Sequence, residues 1–196
     1  MAVINDPTAG TGAKVSLSGA VHITAGGDGF PTYITRFGNV RYTAAIGVSS
    51  CVWAMRAPAT KTIELRMGLV RIAFDGTATA ATSAGIAFVR FSGADPGAGT
   101  LLTPVQKNTT EVASTTIVRE ATAAAGVTLT GATVATATAQ FGSLWLPLSA
   151  TGTQQDMELS DFTGLLLAPG EGLALIAASA LPIGISVSGW VEYSER

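Results

Sequence analysis

The sequence has little of the chemistry on which most catalytic and metal sites depend. It holds one histidine, His22, and one cysteine, Cys51, among 196 residues. A lone cysteine excludes a disulfide within the chain and a cluster of thiolate metal ligands. A single histidine supports a histidine metal site poorly, and no Gly-x-Ser-x-Gly motif points to a serine nucleophile. We therefore predict no catalytic residue, no metal site and no cofactor, and interpret His22 as a solvated residue of a strand.

Charged residues are scarce as well. They make up 12% of the chain, with a net charge of −2, whereas about 25% is usual for a soluble domain. The 11 Lys and Arg residues form no basic patch, so the electrostatic footprint of a nucleic-acid-binding protein is missing. Two interpretations remain open for the low charge. Either partner subunits cover much of the surface, or a compact sandwich has a surface of Ser and Thr.

Small and apolar residues are abundant instead, and they alternate with a period of two. Hydrophobic residues make up 47% of the chain, with 23 Gly and a mean hydropathy of +0.43. About ten short alternating stretches without a convincing amphipathic helix predict an all-β sandwich or barrel. We choose a β-sandwich that is jelly-roll-like. The predicted domain spans residues 14–196 and follows an extended N-terminal arm over residues 1–13.

Several strands carry individual predictions. Residues 14–24 alternate and predict one half-buried strand. In the segment 60–75 the apolar residues change from one side of the alternation to the other, which predicts a β-bulge or a strand break near Gly68 to Val70. Residues 86–91 are apolar on both parities and predict a strand that is covered on both faces. Leu101 to Val105 predicts a short strand, and Pro147 indicates an edge position.

The longest apolar run, residues 165–184, raises the possibility of a membrane span. A spanning helix needs about 20 mostly apolar residues in a row. Here Pro169, Gly170, Glu171 and Gly172 interrupt the run with turn chemistry. We predict a strand, a tight turn and a second strand rather than a membrane helix.

Two further groups of side chains are weak candidates for a site. Asp156, Glu158 and Asp161 offer carboxylates for Ca²⁺ or for a glycosidase pair, but exposed carboxylates on a strand are ordinary. The three tryptophans are candidates for a sugar site, although packing in the core or at a subunit contact is the favoured interpretation; they are Trp53, Trp145 and Trp190.

Cys51 has two interpretations. Most unpaired cysteines in such a setting are inert small apolar residues. The sharper hypothesis is a disulfide between neighbouring chains, because an odd cysteine can pair with its copy in another subunit.

A resemblance to a known family covers roughly the last two thirds of the chain and rests on its strand and turn segments. The segments are RIAFDGTA over 71–78, FVRFSGADPGAGTLLTPV over 88–105, LLLAPGEGLAL over 165–175 and GWVEYSER over 189–196. They resemble the head decoration, or head cement, proteins of tailed bacteriophages, and the third segment resembles the final hairpin of such proteins. Residues 1–58 match nothing in that family.

The resemblance implies a virion structural protein that is not an enzyme. The expected function is to bind the outside of the capsid and to stabilise contacts between shell subunits. The expected partners are the major capsid protein and two further copies of the chain in a homotrimer, without nucleic acid or membrane. The expected location is the capsid surface of the virion, after synthesis in the bacterial host cytoplasm.

The N-terminal arm is the candidate docking element in that scheme. An extended segment can add a strand to the sheet edge of another chain. The residues we assign to this role are Val3, Ile4, Asn5, Asp6 and Pro7. The alternative is a disordered tail.

Two other functions remain as hypotheses. A tail or baseplate module that recognises a receptor or glycan would use exposed Trp or Tyr side chains. A small β-sandwich lyase or hydrolase is disfavoured by the thin supply of acids and bases.

Overall fold

The computed structural model describes residues 30–77, 83–108, 110–131, 133–134, 140–159 and 163–196. It also describes the backbone of three short strands at 4–5, 12–15 and 21–22. Contacts between Cα atoms divide the chain into two units, Met1–Phe30 and Pro31–Arg196.

The first unit contains a three-stranded antiparallel sheet of β1 (Ile4–Asn5), β2 (Gly12–Val15) and β3 (Val21–His22). Lys14 pairs with His22 and Val15 with Val21. The prediction of one strand over 14–24 is therefore wrong. The alternating pattern continues across two antiparallel strands, and the pattern alone does not show where the chain reverses.

The second unit contains two antiparallel sheets. Sheet I has seven strands, in the spatial order β8, β10, β5, β15, β7, with β11 and β12 both paired to the far side of β7. Its strands are β5 (Cys51–Arg56), β7 (Ser83–Ser92), β8 (Thr100–Leu102), β10 (Ile117–Glu120), β11 (Thr133–Val134), β12 (Gln140–Pro147) and β15 (Glu171–Ala177).

Sheet II has six strands, in the order β9, β4, β16, β6, with β13 and β14 both paired to the far side of β6. Its strands are β4 (Thr32–Arg41), β6 (Ile63–Phe74), β9 (Val105–Gln106), β13 (Thr153–Glu158), β14 (Leu166–Leu167) and β16 (Ile185–Glu195).

The order of the long strands defines the fold. In chain order, β4, β6, β13 and β16 belong to sheet II, and β5, β7, β12 and β15 belong to sheet I. Each of the last two strands inserts between two earlier ones, β15 between β5 and β7 and β16 between β4 and β6. This arrangement of two Greek keys is the double-sheet jelly roll. The predicted all-β, jelly-roll-like sandwich is confirmed.

Aromatic side chains join the two sheets in the core. Phe37 of sheet II stacks on Trp53 of sheet I, with ring centroids 5.1 Å apart. Trp53 in turn makes an edge contact with Phe88 at 6.4 Å. Trp53 and Phe88 are fully buried. Such aromatic pairs contribute about 0.5–1.5 kcal/mol beyond the area they bury.

The outer face of sheet I is covered as well. A second apolar cluster on this face includes Ala54, Ala87, Val89 and Ala174, none of them exposed to solvent. The segment around Val127 packs on it, and the Val127 amide donates to the carbonyl of Cys51 at 2.7 Å. The prediction that residues 86–91 form a strand covered on both faces is confirmed.

The β-bulge of β6 lies earlier than predicted. Glu192 pairs with Met67 and Tyr193 with Leu65, so Arg66 is the extra residue. Met67 is therefore half-exposed rather than part of the core. Gly68 has a different role, because a Cβ there would lie 2.6 Å from Cδ1 of Leu159.

The run 165–184 breaks at the predicted turn. The Glu171 amide donates to the carbonyl of Ala168 at 2.9 Å, and Gly170 has a φ of +80°. The flanking strands do not form a hairpin, contrary to the expectation from the resemblance. β14 pairs with β6 of sheet II, whereas β15 joins sheet I. Among the described residues, no helix has the length and hydropathy of a membrane span.

Two edge predictions have different outcomes. Pro147 does lie on an edge strand, since β12 pairs only with β7 in the described part of the chain. Leu101 to Val105 is not one strand. The chain leaves sheet I after Leu102 and enters sheet II at Val105, because Pro104 lacks the amide that a continuous ladder requires.

Candidate functional site

The carboxylates proposed as a metal or acid–base cluster are used in a surface ion pair. Nε and Nη2 of Arg71 donate to the two oxygens of Asp156, each at 2.7 Å. The bonds from Arg71 hold the pKa of Asp156 below its usual value. Glu158 is exposed, and Asp161 lies outside the described residues. Within the described ranges, no three His, Cys, Asp or Glu side chains are grouped to hold a metal ion.

The N-terminal candidates are described only in part. His22 is the last residue of β3, and its side chain lies outside the description. Of the proposed docking arm, Ile4 and Asn5 form β1 and pair with Ala13 and Gly12. The other three arm residues, Val3, Asp6 and Pro7, lie outside the described residues.

Cys51 is enclosed by its own chain. It is 2% exposed and belongs to the cluster on the outer face of sheet I. Its thiol lies 3.1 Å from the carbonyl of Trp53. Burial raises the pKa of the thiol to about 12, so the reactive thiolate is rare at neutral pH. A disulfide between chains, still a prediction, would require the segment around Val127 to move away.

The three tryptophans occupy three different environments. Trp53 is buried in the core, as predicted. Trp145 lies on the edge strand β12, where it is 48% exposed and its ring covers Gly85 of β7. Trp190 is half-buried on the outer face of sheet II. Two of the three are thus accessible to a partner or ligand.

One edge of the sandwich exposes apolar side chains that the sequence did not single out. We call this surface the apolar edge and define it by Leu101, Val105 and Val112, which are 59%, 56% and 75% exposed. Leu101 lies on β8, the edge of sheet I, and Val105 lies on β9, the edge of sheet II. Thr103 and Pro104 connect the two strands. Leu101 pairs with Arg119 on the outer face of sheet I, and Val105 pairs with Ile34 on the outer face of sheet II. The apolar edge therefore wraps around this side of the sandwich, with exposed apolar side chains on both of its faces.

A buried carboxylate fixes the loop that carries Val112. Oε1 of Glu195 accepts hydrogen bonds from the hydroxyl groups of Ser114 and Thr116, the latter at 2.7 Å. Oε2 accepts from Nζ of Lys61 at 2.6 Å. The hydroxyl of Tyr33 donates to the carbonyl of Val112 at 2.7 Å. The loop is thus held in place while the side chain of Val112 faces solvent.

The pKa of Glu195 reflects two opposing influences. Desolvation, the largest single influence, raises it, but the bonds from Lys61, Ser114 and Thr116 together outweigh this and lower it. The charged form is therefore the one that the fold stabilises.

A shallow groove crosses the outer face of sheet II. We call it the outer groove; its volume is about 380 Å³, and it is lined by residues that include Arg36, Leu69, Arg71, Ser188 and Trp190. Trp190 of β16 pairs in register with Arg36 of β4 on one side and with Leu69 of β6 on the other. The groove combines an aromatic ring, a hydroxyl and two guanidinium groups.

Sequence reasoning missed both surfaces for one reason. Leu101, Val105 and Arg36 each continue an ordinary strand pattern. Nothing in that pattern tells whether a neighbouring strand covers the side chain. A clue existed only for Val112, the one large apolar residue in the stretch 106–116.

Comparisons of the chain with protein-family models, with curated proteins and with solved structures give no match.

Proposed function

We propose that the chain is a virion structural protein that binds the outside of a bacteriophage capsid and stabilises contacts between shell subunits. The observation that carries the proposal is the apolar edge. Exposed apolar side chains at the edges of sheets are surfaces on which other protein chains pack or add strands. Jelly rolls are also common building blocks of viral capsids, although a fold alone does not assign a function.

The fixed loop of Val112 supports this function. A clamp between shell subunits must keep its shape under load, and a contact residue on a mobile loop would lose conformational entropy on docking. Glu195 and Tyr33 hold the loop in place before any partner arrives. Docking at the apolar edge then needs little rearrangement.

The first test is binding to heads assembled from the major capsid protein of the phage that encodes the chain. Co-sedimentation with gel densitometry measures occupancy. We expect saturable binding, and a loss of at least about tenfold in affinity when Leu101 and Val105 are both replaced by Asp, because binding would then desolvate two carboxylates instead of burying two apolar side chains. Ile183→Asp is the matched control, since Ile183 is 54% exposed and lies outside the apolar edge.

The outcomes distinguish an error in the proposed function from an error in the proposed docking surface. If the wild-type chain does not bind the heads, the capsid proposal is wrong. If it binds and the double variant binds equally well, the apolar edge is not the docking surface.

The proposed homotrimer has its own measurement. Size-exclusion chromatography with light scattering should give three times the chain mass of 19.8 kDa. A monomer at every concentration tested would contradict a preassembled trimer.

A further inference from the structure

The outer groove owes its concave shape to an irregularity in strand pairing. Between Val187 and Gly189 the register of β16 against β4 shifts. Gly38, opposite this shift, has a φ of +90°, a conformation that glycine adopts without strain. Such bulges bend a strand and increase its local twist.

The charges around the outer groove leave one guanidinium available. Arg71 is engaged by both oxygens of Asp156. Glu192, on the same strand as Trp190, accepts from Nζ of Lys107 at 2.9 Å. Arg36 is exposed and has no hydrogen-bond or ion-pair partner among the described residues. The groove thus has one planar, five-donor cation beside an aromatic ring.

We propose that the outer groove binds the carboxylate-bearing sugar ring of an acidic saccharide. The guanidinium of Arg36 receives the carboxylate, for which its fork of donors is suited. The half-buried ring of Trp190 packs against the apolar C–H face of the sugar, and the hydroxyl of Ser188 forms a hydrogen bond with a sugar hydroxyl. An inorganic anion would leave Trp190 unused, and a neutral sugar would leave Arg36 unpaired. This proposal does not depend on capsid binding, which we assign to a different surface, the apolar edge.

Titration of the ¹⁵N-labelled chain tests the proposal through the indole N–H signals of its three tryptophans. Trp190→Phe identifies the signal of Trp190. The probes are tri-galacturonate, its methyl ester, tricarballylate and tetraglutamate. We expect tri-galacturonate to shift the Trp190 signal saturably, and the neutral ester to bind at least about tenfold more weakly because it lacks the charge that Arg36 recognises. If tricarballylate binds as tightly as tri-galacturonate, the groove binds anions without recognising a sugar. If tetraglutamate binds as tightly, an acidic peptide is the favoured ligand. Either result would overturn the proposal, and so would the absence of a shift of the Trp190 signal with tri-galacturonate.

Variants of Arg36 locate the binding. Arg36→Gln should weaken tri-galacturonate binding at least about tenfold. Arg36→Lys should have an affinity between those of the wild type and Arg36→Gln, because lysine keeps the positive charge but lacks the paired donors of the guanidinium. Arg41→Gln is the control, an exposed arginine paired with Asp75 outside the groove. An unchanged thermal midpoint verifies that the variants are folded. If Arg36→Gln binds as the wild type does, the outer groove is not the site.

Discussion

The outer faces of the two sheets differ in what covers them. On sheet I, side chains such as Ala87 and Val89 are completely buried beneath the segment around Val127. On sheet II, the corresponding face carries Arg36 and Trp190 and is open to solvent. Antiparallel sandwiches usually have one solvated face on each sheet. Here the central strands β5, β15 and β7 of sheet I are buried on both faces, whereas sheet II is buried on one.

This difference gives the scarcity of charge a cause inside the chain. A sheet that is covered on both faces needs apolar residues at every position of its strands, as in residues 84–89 of β7. The high hydropathy therefore does not by itself require a partner subunit. The exposed apolar residues of the apolar edge are a separate feature, and they, rather than the composition, motivate the proposed docking.

The largest expected effect on stability comes from a glutamate on the covered outer face of sheet I, compared with a glutamate on the open outer face of sheet II. Ala87→Glu puts an unpaired carboxylate into the covered face of sheet I and should destabilise the fold by about 3–5 kcal/mol. Ala73→Glu puts the same group on the open outer face of sheet II, where Ala73 is half-buried, and should cost less than about 0.5 kcal/mol. Urea denaturation measures both. Similar losses would contradict the contrast between the faces.

A covered carboxylate at the end of sheet II should give the next largest effect. Glu195→Gln removes the charge-assisted bonds from Lys61 and Ser114 and should cost about 2 kcal/mol at pH 7. Because the fold lowers the pKa of Glu195, its contribution is present above the pKa of the unfolded state and is lost as the pH falls through that of the folded state.

The pH dependence supplies the check. Stability of the wild type should decline from about pH 5 downward, and that of Glu195→Gln should decline less steeply. Denaturant midpoints measured across this range decide the question. Glu158→Gln, which alters an exposed carboxylate, serves as the control. If the stability of all three proteins declined equally steeply toward low pH, this role for Glu195 would be ruled out.

Two glycines beneath aromatic rings sharpen the comparison within sheet I. A Cβ at Gly172 would lie 2.2 Å from Cε1 of Phe91, which is buried, and 2.7 Å from the carbonyl of Met55. Gly172→Ala should therefore cost about 1–3 kcal/mol. For a Cβ at Gly85 the nearest atoms belong to the ring of Trp145, at 2.6 Å. That ring is half-exposed and can turn away, so the loss for Gly85→Ala in thermal unfolding should be smaller.

The smallest effect is expected on the open face. Asp156→Asn breaks the pair with Arg71, but both side chains are largely solvated, and solvent and salt screen their attraction. The thermal midpoint should not change measurably at physiological salt. A clear drop would mean that this ion pair is stronger than its exposure implies.

Sequence patterns predicted the faces of strands better than their partners. The continuous apolar run 86–91 and the break at 169–172 both follow from local chemistry, and both are confirmed. The pairing of Leu166 with β6, or the step from β8 to β9 at Pro104, depends on residues far away in the chain. Alternation records which side of a strand is buried but carries no information about the strand beside it.

The candidate surfaces show the same limit. Trp190 could be singled out because tryptophan is rare in this chain, with three copies. Arg36 could not, since its availability depends on Arg71 and Glu192 having other partners. The location of the β6 bulge also required the structure. Periodicity placed Met67 with the core residues, whereas the extra residue at Arg66 turns it outward.

The positions of β15 and β16 have a consequence for synthesis of the chain. These final strands are the central members of sheet I and sheet II, each with an earlier strand on both sides. While the ribosome is still making them, the earlier strands have no neighbours with which to complete either sheet, and folding by such distant pairings is slow. A truncated product that ends before Glu171 would lack the centre of both sheets. Only a chain that already contains both strands can complete the two sheets that carry the apolar edge and the outer groove.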